Sequence, residues 1–83
     1  MKRDIQIENM LIDALQYFGK PTLIIDVNRY IWNKYENDIR MSDEMLYKWQ
    51  YQLRWAFTNL KKEGICDFNK QGQNSLWLLT KKG

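Results

Sequence analysis

Residues 42–65 read SDEMLYKWQYQLRWAFTNLKKEGI, and this stretch decides the fold. Ser42 is a good helix N-cap, because its hydroxyl can accept a hydrogen bond from an amide of the first turn. Asp43 and Glu44 follow it, where negative charge suits the positive end of a helix dipole. No Gly or Pro intervenes before Lys62. At about 100° per residue, Leu46, Trp49, Leu53, Ala56, Phe57 and Leu60 fall within one arc. The spacing predicts one long helix over 43–62, and also allows a short helix and a turn near 46–49 before the main one. Lys61 and Lys62 suit its C-terminus, and Gly64 sits where a left-handed cap is wanted.

Downstream the pattern changes to that of a β-hairpin. Ile65, Asp67 and Phe68 form a short first strand, and Leu76 to Thr80 a second. The polar run Asn69-Lys70-Gln71-Gly72-Gln73-Asn74-Ser75 between them is read as a loop. Upstream, residues 4–18 have helical spacing, with Ile7, Leu11, Ala14, Leu15 and Phe18 on one stripe and Asp4 placed as a cap. Gly19-Lys20-Pro21 stops that helix. Thr22-Leu23-Ile24-Ile25 reads either as a brief strand or as the lead-in to a second helix. Val27, Tyr30, Ile31 and Lys34/Tyr35 predict that helix over 26–36, with Asn37-Asp38 as a loop. The expected architecture is mainly α with a small β-hairpin: a winged helix-turn-helix of three helices and a two-stranded wing. With 83 residues and no linker or repeat, it forms a single domain over 1–83.

From Trp49 onward the chain resembles the N-terminal winged-helix domain of Mrr-type restriction endonucleases. The stretch from Arg54-Trp55-Ala56 through Leu60-Lys61-Lys62-Glu63-Gly64-Ile65 carries the resemblance, together with Leu76-Trp77-Leu78-Leu79-Thr80-Lys81-Lys82-Gly83. The resemblance implies a double-stranded-DNA-binding module, either the targeting domain of a restriction-type nuclease or a small DNA-binding regulator. It also implies a structural role for Trp55, on a helix packed on two sides. Two features depart from the family pattern. Asn74-Ser75 stands where a Gly usually precedes the wing Trp segment, which implies a longer or differently turned wing tip. The Gly/Pro-rich stretch before the long helix is missing, so that helix is expected to begin earlier.

Charge supports the same reading. The net charge is +3, and residues 47–83 carry seven bases against Glu63 and Asp67. A basic C-terminal half suits a polyanion, with a solvated lysine face as the plain alternative. On the long helix Lys48, Tyr51, Gln52, Trp55, Thr58, Asn59 and Lys62 point away from the apolar arc. Placed in a major groove, Gln52 and Lys48 are the candidates for base edges, and Arg54 and Lys62 for phosphates. In the wing Lys70, Gln71, Gln73 and Asn74 suit backbone or the minor groove. Lys61, Lys81 and Lys82 would add non-specific attraction.

Catalysis is not expected. The chain has no His and a single Cys, and its four Gly are too scattered for a phosphate loop. Its carboxylates lie at capping and loop positions, so neither a metal nor another cofactor is implied. Cys66, unable to pair within the chain, reads as a small buried apolar residue in a reducing, cytoplasmic setting. No apolar run reaches the length of a membrane span. The second reading is a protein-interaction winged helix that dimerises or docks through its surplus aromatics. Trp32 and Tyr35 are candidates for such a patch, as is whichever of Trp77 or the Leu76/Leu78 pair faces outward.

Overall fold

The computed structural model describes residues 5–80, so the Asp4 cap and the lysines at 81 and 82 lie outside the described residues. Three helices, α1 (Ile5–Phe18), α2 (Ile24–Arg40) and α3 (Asp43–Lys62), are combined with strands β1 (Thr22–Leu23), β2 (Cys66–Gln71) and β3 (Asn74–Leu79). The strands form one antiparallel sheet in the order β1-β3-β2. The protein is mainly helical, with a small sheet.

α3 is one uninterrupted helix, as its two stop signals dictate. Ser42 Oγ accepts from the Met45 amide at 3.1 Å, satisfying one of the orphan donors of the first turn. At the other end Gly64 adopts φ +79°, open only to a residue without Cβ strain. Its amide reaches the Lys61 carbonyl at 3.0 Å and the Ile65 amide reaches Leu60 at 2.9 Å. That pair of bonds is a Schellman cap. Twenty residues make a rod of about 30 Å, close to the 34 Å long dimension of the molecule.

Both readings of Thr22-Leu23 hold, while the bounds of α2, the number of strands and the length of the hairpin tip are corrected. Thr22-Leu23 is a strand and also the lead-in, for α2 begins at Ile24. Leu23 and Thr22 pair with Leu76 and Trp77, which turns the expected two-stranded wing into a three-stranded sheet. α2 runs on through Asn37-Asp38 to Arg40 instead of ending at 36. It bends at Tyr35 (φ −115°, ψ 17°), and after the bend Ile39 is fully buried. Burial of that side chain outweighs the loop preference of Asn37 and Asp38. In the hairpin only Gly72 and Gln73 lie outside the ladder, since Gln71 pairs with Asn74 and Lys70 with Ser75. Gly72 has φ +64° and Gln73 does not share that sign, the signature of a type II′ turn. The hairpin tip is therefore shorter than expected, and Asn69 to Gln71 are strand.

The core lies between the helices and one face of the sheet. Ile7, Leu11 and Leu15 of α1, Val27 and Ile31 of α2, and Leu53 and Leu60 of α3 are almost wholly buried. Trp77 of β3 stacks on Phe57 of α3, with ring centroids 4.2 Å apart and planes 7° apart. Cys66 is buried against the same core, and burial pushes its thiol up to about 11.

α1 and α2 are clamped by a polar cluster at the core's edge. Asp13 Oδ2 accepts from Lys34 Nζ at 2.8 Å, Tyr35 OH at 2.9 Å and Tyr30 OH at 3.1 Å. The Lys34 bond comes first in holding the Asp13 carboxyl below its ordinary 3.8, with the two phenols adding to it against the cost of burial. A depressed folded value means the stabilisation is complete above the unfolded value and is lost as pH falls through the folded one. Asp13→Asn should lower the thermal midpoint at pH 7 by about 5 °C, for a loss of about 1 kcal/mol in this half-solvated cluster. The melting curves of variant and parent should converge as pH is lowered towards 2, a result thermal denaturation followed by circular dichroism would give directly.

Candidate functional site

The long helix covers the core with one face and leaves the other bare. Trp49, Leu53, Ala56, Phe57 and Leu60 are buried, while Tyr47, Lys48, Tyr51, Arg54, Trp55, Thr58 and Lys62 are exposed on the opposite side. The centre of that face is aromatic. Tyr47, Tyr51 and Trp55, spaced at i, i+4 and i+8, form a stripe in which each ring stands one turn, about 6 Å, above the last. Tyr47 is 85% exposed, Tyr51 53% and Trp55 40%.

Tyr51 and Trp55 meet edge to face, with centroids 6.5 Å apart and planes at 72°. Arg54 and Thr58 complete a shallow depression of about 280 Å³ around them. The Thr58 hydroxyl donates to the Arg54 carbonyl at 3.1 Å, so it offers an outside group only its lone pairs. Trp55 is thus not the structural ring that the resemblance implied. Among the described residues no second element closes over Trp55, which stays 40% exposed.

The remaining expected site residues divide between three places. Lys48 is exposed and sits 3.6 Å from Glu44, one turn back. It shares a cleft with the half-buried Gln52 and with Gln6, Asp38 and Met45, where α1 and the end of α2 meet the start of α3. Gln52 and Asn59 are half-buried on the flank of α3, away from the centre of the bare face. Lys70 and Gln73 are exposed, the first in β2 and the second in the turn. Tyr47 was missed by reasoning from sequence, although it is the most exposed ring of the stripe. Its only signal was its place one turn before Tyr51.

The sheet brings the hairpin cations round to the helix. Side chains alternate across a strand, so Cys66, Phe68 and Lys70 share the face that Trp77 turns to the core. Lys61 Nζ lies 5.3 Å from the Phe68 ring centre, tying the end of α3 to β2. Arg54 stands two turns before Lys61 on the same ridge. A basic line therefore runs Arg54, Lys61, Lys70, with Lys62 beside it. None of the four forms an ion pair among the described residues. The opposite face of the sheet carries Leu23, Leu76 and Leu78, so the leucines and not Trp77 look outward.

The two exposed-versus-buried assignments can be checked on stability alone. Trp77→Ala removes a ring stacked in the core and should cost about 3–5 kcal/mol in urea denaturation. Trp55→Ala should cost about 1 kcal/mol or less. A large loss on truncating Trp55 would mean the ring is packed. No known protein family, curated protein or solved structure matches this chain.

Proposed function

We propose that the protein is a winged-helix module that binds double-stranded DNA, with α3 on the duplex and the β2–β3 hairpin as its wing. The observation that carries this reading is the basic line from Arg54 through Lys61 to Lys70. It joins the bare face of the longest helix to the hairpin, and no carboxylate among the described residues is paired with it. A helix lies in the major groove while a neighbouring hairpin follows the backbone, and unpaired cations on both elements suit phosphates. The element order, with β1 closing the sheet beside the hairpin, is compatible with a winged helix. The resemblance to the Mrr-type N-terminal domain supports a role as the targeting module of a restriction-type nuclease, or as a small regulator.

The second reading keeps the fold and replaces DNA by a second copy of the chain. It is favoured by the cross-strand pair Leu23 and Leu76 with Leu78 beside it, an apolar strip on the outer face of the sheet. Light scattering that gives twice the chain's mass would support it.

Fluorescence anisotropy with a labelled duplex of mixed sequence tests the DNA reading. With about four phosphates neutralised, affinity should fall on the order of a hundredfold between 50 and 200 mM salt. Arg54→Glu with Lys70→Glu should weaken binding at least tenfold and flatten that salt dependence, without changing the circular dichroism spectrum. If the double variant binds as the parent does, the basic line is not the contact.

A further inference from the structure

The bare face of α3 carries cations able to reach guanine edges or phosphates, Lys48, Arg54 and Lys62, but three aromatic rings dominate its centre. Base edges in the major groove offer hydrogen-bond donors and acceptors, with the thymine methyl as their one apolar feature. The amides suited to those edges, Gln52 and Asn59, are half-buried at the flank. In their place stand three rings in water, two of them set at 72° to form a corner. The natural partner of such a corner is the flat face of another ring. In a paired duplex every base face is already covered by its neighbours.

We propose that the corner between Tyr51 and Trp55 takes an unstacked base, so that α3 prefers a duplex carrying an unpaired nucleotide over a fully paired one. The proposal rests on the DNA-binding reading above and adds to it the state of the DNA. A base seated in the depression would lie on one ring and meet the edge of the other, an arrangement whose strength does not depend on base identity. Arg54 on the rim is placed for the phosphate of the same nucleotide or for stacking on its open side. Thr58, its proton committed to the Arg54 carbonyl, can accept from an exocyclic amino group. The flanking duplex is left to Lys61, Lys62 and Lys70. Charge favours a nucleic acid as the occupant, since Arg54, Lys61 and Lys62 beside the rings pair with no acid among the described residues, Lys48 alone having Glu44. Tyr47, one turn further along, offers a second platform for an adjacent unstacked base.

The test compares two labelled duplexes of the same sequence at one salt concentration, one fully paired and one with a two-nucleotide bulge at its centre. The bulged duplex should bind about tenfold more tightly, the gain expected of one base stacked on an aromatic side chain. Tyr51→Leu and Trp55→Leu should each remove that preference, bringing the ratio of bulged to paired affinity close to one whatever either change does to binding of the paired duplex. Both side chains are exposed, so both variants should melt close to the parent. The parent gives an independent readout, since stacking on Trp55 should quench tryptophan fluorescence with the bulged duplex and much less with the paired one. Equal binding of the two duplexes, or a preference that survives in both variants, would overturn the proposal while the DNA reading stands. If neither duplex binds, both fall.

Discussion

The stack of Phe57 on Trp77, nearly coplanar at 4.2 Å, is the contact on which the rest of the arrangement depends. β3 is the central strand, paired with β1 on one side and β2 on the other, so the residue that anchors β3 anchors the sheet. With Trp77 turned inward, alternation leaves no freedom for its neighbours. Leu76 and Leu78 must face out, and across the ladder Phe68 and Lys70 must face the helix side. A slip of one residue would send Trp77 into water and carry Lys70 to the far side of the sheet. The basic line that joins helix to hairpin is thus a consequence of where one aromatic ring is buried.

Much of this was legible in the sequence, for identifiable physical reasons. α3 is bounded by Ser42 and Gly64, two residues whose backbone preferences act locally, and its apolar arc was long enough to fix the buried face. The extension of α2 was not legible, because Asn37-Asp38 is a strong local turn signal and the burial of Ile39 that overrides it is a tertiary fact. The strands of the hairpin were underestimated for a related reason. β2 is an edge strand, exposed from Asp67 onward, so it needs no alternation of apolar and polar residues to declare itself. At the candidate site the cations were found because charge is visible in composition. The orientation of Trp55 was not, since its place on the wheel was clear but its burial depended on whether another element covered that side of α3.

The charge pattern on α3 has two separable causes. Acids at Asp43 and Glu44 and bases at Lys61 and Lys62 complement the helix dipole, and would be favourable on a helix that touches nothing. That argument does not reach Arg54, in the body of the helix, or Lys70, in a different element. These two cations are the part of the basic surface that helix stability leaves unexplained, and they flank the aromatic stripe on the side of the hairpin.

The stripe presents the same logic in apolar form. A chain of 83 residues buries a modest share of its surface and has little stability to spare. Its buried rings, Trp49, Phe57 and Trp77, are accounted for by packing. Tyr47, Tyr51 and Trp55 are not, because they face water on a helix whose fold would be served as well there by Lys, Glu or Gln. Exposed rings at one-turn spacing lower solubility and return only the partial packing that Tyr51 and Trp55 give each other, which makes them candidates for contact with something outside the chain. Lined by cations on the hairpin side and by half-buried amides on the other, the stripe has the chemistry that suits a molecule both anionic and flat, which is why the two proposals meet on it.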